Sequence, residues 1–448
     1  MPEPLGLEML AAVLPGHDVR ILDQRFGDDL AAEVRAFQPD LVGVTALTPE
    51  VYAAAEVLRQ VKAISPDIFT VVGGHHASLL PRDFHLPQVD AIIIGEGEPT
   101  LAALVAALER GRDVASITNL VYRDAEGRFV SNPGPPAEID LDSLPIPRRD
   151  LAARHRDQYF FLFDQPDTSM ATGRGCPYRC SFCSVWEFYH GRTRMMSPQR
   201  VISELKTVAT EHITFVDDNF LLNHQRESAI ADMIRAEGIQ RRYSMECRTD
   251  SIVRHPELVE KWVKIGLYAM LLGLEGTDTT LKSVGKRTNV RTNDRAIRIL
   301  QSHGVVIWGA FIVDPSWQAD DFKRLRDYVT SRGITHTQFT VLTPLPGTEL
   351  YRHREHELLT RDYTCFDVLH AVTKTRLERE DFYHHFADLY RQTDLRPYFE
   401  MVRSGKLTIE NMKRGKDMLA AMSRWENYIV NDPILGRRAH LTEFRPGR

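Results

Sequence analysis

The chain has 448 residues, 43% of them apolar and 26% charged, which suits two or three packed domains and excludes a largely disordered polymer. Its net charge of -5, from 56 basic and 61 acidic residues, gives no cationic surface for nucleic acid, and no run of about 18 apolar residues is present to cross a bilayer. Five cysteines are too few for a disulfide framework and MPEPLGLEML is no secretory signal, so the expected compartment is a reducing cytoplasm, where clustered thiols mean metal or catalysis.

In chain order, Val19 to Leu22, Leu41 to Ala46, Thr70 to Gly74 and Ala91 to Gly95 are short β-branched runs of the kind buried on both faces of a parallel sheet. Helical periodicity over Asp28 to Phe37, Glu50 to Ile64 and Thr100 to Glu109 separates them, which predicts a doubly wound α/β domain with ligand loops at the strand C-termini. The chain opens on a helix-like stretch, so an earlier first strand is expected to be missing. Prolines 133, 135, 136, 145 and 147 mark a connector.

A second series follows. Strands are expected at Thr168 to Thr172, Ile213 to Asp218, Tyr243 to Arg248, Tyr268 to Glu275, Val305 to Val313 and Thr337 to Thr343, with helices between them. Six βα units make three quarters of a (β/α)8 barrel, whose reactive groups stand at the strand C-termini. The expected divisions are 1–130, a linker at 131–165, a partial (β/α)6 barrel at 166–358 and a helical region at 359–448.

Directly after the first strand of that barrel, GRGCPYRCSFCSVW carries Cys176, Cys180 and Cys183 with C-x3-C-x2-C spacing. Three thiolates cannot pair without an odd one and fall short of the four ligands of a structural zinc. A [4Fe-4S] cluster with one iron left open fits their number and softness, although three such cysteines in an arbitrary protein are more often inert or zinc-binding. Gly173 and Gly175 let backbone pass close to such a cluster. The other thiols, Cys247 and Cys365, are expected to be buried and inert. Asp217-Asp218-Asn219 ends the second barrel strand, either lining the pocket or capping a helix, and Trp308 is expected in the core or on an apolar substrate wall.

The motif and its place before the six units resemble the radical S-adenosylmethionine (SAM) family. The resemblance implies that the open iron takes the amino and carboxylate groups of SAM, whose reductive cleavage gives a 5′-deoxyadenosyl radical. It further implies that Phe182 supplies backbone near adenine, that Gly273 and Glu275 form the G-x-E element near the SAM methionine, and that Arg248 pairs with the SAM carboxylate. A solvated surface pair is the plain alternative for Glu275.

A doubly wound domain ahead of such a barrel resembles the cobalamin-binding domain of the B12-dependent class. Three loops match the places where that fold meets the corrin or its tail: Thr45-Ala46-Leu47-Thr48, Gly73-Gly74-His75-His76 and Gly95-Glu96-Gly97-Glu98. From these the resemblance implies cobalamin contacts at Thr45, Thr48, Gly73, Gly74, His75, His76, Gly95, Glu96, Gly97 and Glu98. The axial-histidine pattern is not matched: Asp83-Phe84-His85 lies after the third strand and continues Leu86-Pro87-Gln88, so His85 is an ordinary loop residue and no protein imidazole is expected on cobalt.

Such a pair of cofactors implies C-methylation of an unactivated carbon, SAM supplying both the radical and, through methylcobalamin, the methyl group. The stretches GLEG, GAFIVDP, QFTVLTPLPGT, TRDY, LHAV and TRLERE look most like hopanoid C-3 methylases. That similarity implies a lipid substrate met at a membrane surface and an electron donor such as flavodoxin or ferredoxin. The alternatives are another B12 radical SAM enzyme (a tryptophan or antibiotic-pathway methyltransferase, or a ring cyclase) and, outside catalysis, an iron-sulfur or zinc sensor.

Overall fold

A computed structural model describes residues 1–135, 139–161, 164–391, 402–403, 409–430 and 432. Its N-terminal sheet holds β1 (Leu41–Thr45), β2 (Phe69–Gly73), β3 (Ala91–Ile93), β4 (Leu120–Arg123) and β5 (Phe129–Asn132), in that spatial order. The first three are parallel and the last two antiparallel. Alternation along the strands feeds two cores. Val72 and Ile92 pack with Val51, Ala54 and Leu58 of the helix Val51–Ile64, whereas Val71, Ala91 and Ile93 meet Leu101 and Leu104 of the helix Gly97–Glu109. Each fully buried Val or Ile contributes about 1.5–3 kcal/mol, which is why these short runs hold as strands between two helical layers.

Two expectations fail here. Val19 to Leu22 joins no ladder; Leu22 packs beside Leu30, Val34 and Val61, and Asp23 then caps a 3-10 turn at Gln24–Phe26. A β-branched run supplies the propensity but not the neighbour that a strand needs. Conversely, β4 and β5 form an antiparallel hairpin that carries the sheet two residues beyond the expected boundary at 130.

The second sheet consists of β6 (Asp167–Met170), β9 (His212–Phe215), β10 (Arg242–Cys247), β11 (Leu267–Glu275), β12 (Val306–Val313) and β13 (His336–Val341), all parallel and in chain order. A small hairpin, β7 (Gly173–Arg174) with β8 (Arg194–Met195), stands at its mouth. Outward residues such as Phe215, Tyr243, Met245 and Met270 share one core with Trp262. The inward ones are polar at depth: Thr214 bonds Ser244 at 2.8 Å and Asp167 at 2.9 Å. A six-stranded barrel stays open, and both edges are covered. Ser169 of β6 donates its N–H to Glu3 and accepts from Arg149, each at 2.9 Å. On β13 the Tyr390 hydroxyl takes both Phe339 backbone groups, at 2.8 and 2.9 Å. Among the described residues, both terminal strands of this sheet therefore have some of their edge backbone groups satisfied by side chains.

The C-terminal region becomes helical only from Arg379–Arg391. Before that, Tyr363, Cys365, Phe366 and Val372 cross back and join the N-terminal core beside Val51 and Phe84, so the tail straps both sheets together.

Candidate active site

The cysteine loop is fixed by the strand after it. Asp217, just beyond β9, accepts the N–H groups of Thr172 and Gly173 at 2.6 Å and the Thr172 hydroxyl at 2.5 Å, and Asp218 accepts from Gly175 at 3.0 Å. Asn219 accepts from the Arg248 N–H at 3.0 Å. Asn219 stands at the N-cap position of the 3-10 turn Phe220–Leu222 without a side-chain cap bond, and it is Asn223 whose side chain caps the helix His224–Ala236. Their work is to hold the ends of neighbouring strands. Gly175 adopts φ +87°, and a Cβ there would collide with the Arg192 carbonyl, so only glycine passes this point.

Beyond it the three thiols lie on one turn, with Cys180 buried and Cys176 and Cys183 half-buried. The turn is pinned by Ser181, whose N–H donates to Val284 at 3.0 Å and whose carbonyl accepts from Leu350 at 2.8 Å. Burial pushes all three thiols up, Cys183 to about 12. Such thiols become thiolates only when a bound cation offsets the desolvation. Among the described residues no three His, Cys, Asp or Glu side chains converge on a single-ion position; a cubic cluster instead takes each thiolate on its own iron.

Arg248 follows β10 and is buried. Its Nε donates to Asp250 at 2.9 Å, its Nη1 lies 3.9 Å from the Cys180 sulfur, and its Cζ stands 3.6 Å above the Tyr178 ring. Nη2 is buried with no partner among the described residues. An orphan guanidinium donor beside the thiols is what a carboxylate ligand fills, so the fit to SAM is good. Phe182 packs with Val284, Ile312, Leu342 and Leu350.

At the end of β11, Glu275 sits at φ +57° behind a register shift against β12. It is buried and paired with Lys286 at 2.5 Å, and Lys286 also donates to the Gly273 carbonyl at 2.6 Å. The solvated pair is thereby replaced by a buried one, and Lys286, which no sequence pattern flagged, completes it. Glu246 was missed as well. It faces the barrel lumen, exposed to the cavity yet enclosed by surrounding atoms, and burial raises its carboxyl to about 7, with Asp218 as the next cause. Leu271 and then Trp308 follow it across the register. Trp308 stands against Phe161 at 6.0 Å, on the lumen side.

On the N-terminal side, Leu47 after β1 is 57% exposed, and the space around Gly95 is open where a side chain would stand. An exposed apolar residue and a bare glycine at strand C-termini suit a flat corrin. Gly74, at φ +91°, lets the loops after β1 and β2 touch, since a Cβ would strike the Thr45 hydroxyl. His76 is buried with both nitrogens engaged, Nδ1 with Thr48 at 3.1 Å and Nε2 with Asp83 at 3.0 Å. Asp83 also accepts from Tyr363 at 2.7 Å. His75 bonds Ser184 at 2.6 Å and stacks on Phe188 at 4.9 Å; burial lowers its pKa to about 4, leaving it neutral. His85 stacks on Phe129. Glu96 and Glu98 turn toward Arg174 and Arg194 of the β7–β8 hairpin, while Gly97 and Glu98 open a helix. Cys247 and Cys365 are buried, their thiols raised by desolvation.

Comparison with known proteins agrees with this geometry. Residues 2–105 match the B12 binding domain and residues 170–329 the Radical SAM superfamily. The chain is 34% identical over 393 residues to the hopanoid C-3 methylase of Methylococcus capsulatus, covering 85% of this chain and 74% of that one. It is 31% identical to an uncharacterized methyltransferase of Pyrococcus horikoshii, with 83% of each covered. In structure it resembles the cobalamin-dependent SAM radical enzyme OxsB with aqua-cobalamin and SAM bound (TM-score 0.72, 17% identity, 94% of this chain and 69% of that one). It also resembles the radical SAM methyltransferase TsrM of Kitasatospora setae with cobalamin and a [4Fe-4S] cluster (TM-score 0.66, 19% identity, 78% and 74%). These relatives are enzymes, which sets the sensor alternative aside. A B12 domain joined to a radical SAM barrel, in a chain this similar to curated methyltransferases over most of their lengths, places it in the family of B12-binding radical SAM methyltransferases.

Proposed function

We propose that this cobalamin-dependent radical SAM methyltransferase methylates an unactivated ring carbon of a bacterial lipid, C-3 of hopanoids. The observation that carries the reading is the 34% identity to a hopanoid C-3 methylase across both cofactor regions and the barrel. When bound, the cluster, SAM and cobalamin supply a carbon-centred radical and a transferable methyl group.

The chain's own residues do the rest. Cys176, Cys180 and Cys183 would hold three irons, and the Arg248 Nη2 would take the SAM carboxylate. The Lys286–Glu275 pair and the Gly273 backbone would shape the methionine end, and Phe182 would lie toward adenine. Thr45, Thr48, Gly73, Gly74 and Gly95 would border the corrin, with Leu47 against its face. Substrate and cofactors filling the open lumen would keep water from a radical. Hydrogen abstraction by a radical needs no general base, and reduction of the cluster calls for a donor such as flavodoxin or ferredoxin. Among the described residues no helix is long and apolar enough to cross a membrane, so contact with a lipid would be made at its surface.

A second reading, a hydroxyl- or amine-bearing substrate like those of other B12 radical SAM enzymes, is favoured by Glu246 in the lumen. Expression in a hopanoid-producing bacterium that lacks 3-methylation, followed by lipid mass spectrometry, separates the two. Appearance of 3-methylhopanoids supports the first reading, and an unchanged lipid profile removes it without touching the cofactor assignment.

A further inference from the structure

The cysteine triplet is gripped at both ends by loops of the cobalamin-binding sheet. Arg174 stands two residues before Cys176. Its Nη1 is 2.5 Å from a Glu96 oxygen and its Nη2 bonds Glu98. The other Glu96 oxygen bonds Arg194, across the β7–β8 hairpin. Two carboxylates thus face two guanidiniums, and these side chains are between 7% and 21% exposed. Ser184 stands one residue after Cys183, and its hydroxyl bonds His75 at 2.6 Å, with Phe188 stacked on the same imidazole. His75 follows β2, and Glu96 follows β3.

Neither end can drift. Gly173 and Gly175 are tied to Asp217 and Asp218, the Gly95 N–H donates to Ser78 at 2.8 Å, and Glu96 is followed at once by the first turn of the helix Gly97–Glu109. Charged, forked pairs of this kind fix orientation as well as distance.

We propose that Glu96, Glu98 and His75 are positioning residues, forming a two-point clasp that sets the cluster loop at a fixed distance from the cobalamin loops. Their polar atoms face Arg174, Arg194 and Ser184, so they act through the loops and not by contact with the corrin. The inference rests on the cofactor assignment above. Transfer between two bound cofactors depends on their separation, and misplacement by about an ångström is enough to cost a large part of such a rate.

The test uses anaerobically reconstituted holoenzyme holding reduced cluster and cob(II)alamin, read by pulsed EPR for the distance between the two spins. The wild type is expected to give a narrow distance distribution. The Glu96→Gln/Glu98→Gln protein should keep both cofactors at wild-type occupancy and give a broadened distribution. Arg174→Lys, which keeps the charge and loses the fork, should broaden it likewise and serves if the double variant does not fold. An unchanged width in variants holding both cofactors overturns the clasp. So does loss of cobalamin with the cluster retained, which would make the carboxylates cobalamin contacts. A wild-type protein that takes up neither cofactor overturns the functional reading and the clasp with it.

Discussion

Arg248→Met tests the core of the site. In the structure this guanidinium is spent on Asp250 and the Tyr178 ring, yet it keeps Nη2 buried and unpaired. A charge-assisted hydrogen bond from that atom to the SAM carboxylate is worth about 1.5–3 kcal/mol, so its loss should raise the SAM Kd roughly 10- to 150-fold at about 1.4 kcal/mol per decade. Methionine retains much of the side-chain volume, and the Asp250 it leaves behind still accepts from Tyr178 at 2.8 Å, which limits the damage to the fold. Asp250→Asn is the control, because it removes the anchor and leaves the fork; its effect should be smaller, within about 1 kcal/mol or some fivefold. The assay is anaerobic equilibrium dialysis with SAM, on protein whose iron and sulfide contents match the wild type. SAM binding by Arg248→Met within threefold of wild type would refute the assignment of the orphan donor.

Two further outcomes are expected. Cys180→Ala should lose 5′-deoxyadenosine formation while cobalamin absorbance persists; formation at the wild-type rate would show that this thiol holds no iron. Glu8 is fully buried, neither carboxyl oxygen has a hydrogen-bond partner among the described residues, and desolvation together with the Glu3 charge raises its carboxyl to about 8 from 4.5. The folded state therefore prefers its neutral form. That preference contributes its full stability below about pH 4.5 and loses it as pH climbs to 8, a change on the order of a few kcal/mol. Glu8→Gln should flatten this decline and melt higher than wild type at pH 8 to 9, and parallel curves of Tm against pH would contradict the burial argument.

The cluster motif was legible because its chemistry is local: three cysteines within eight residues place their sulfurs near one another whatever else the chain does, and Gly175 beside them answers to a steric limit of its own backbone. The six barrel strands were legible too, since apolar runs of β-branched residues between amphipathic helices have few other ways to be buried. The short hairpin of β4 and β5 escaped notice because four-residue strands carry little periodicity, and Val19 to Leu22 misled because propensity says nothing of whether a neighbouring strand exists.

What a carboxylate or imidazole does was decided only in three dimensions. Glu96 and Glu98 have the same local sequence whether they face a corrin or an arginine, and it was the approach of the β7–β8 hairpin that gave them their partners. His76 was removed from any contest for cobalt by Thr48 and Asp83, and Glu275 was taken out of water by Lys286 from a separate turn. Hydrogen bonds and ion pairs act over a few ångströms, and residues far apart in the chain come that close only after the sheets have packed; the spacing of a motif can say which atoms are available, while the fold says which of them are already in use.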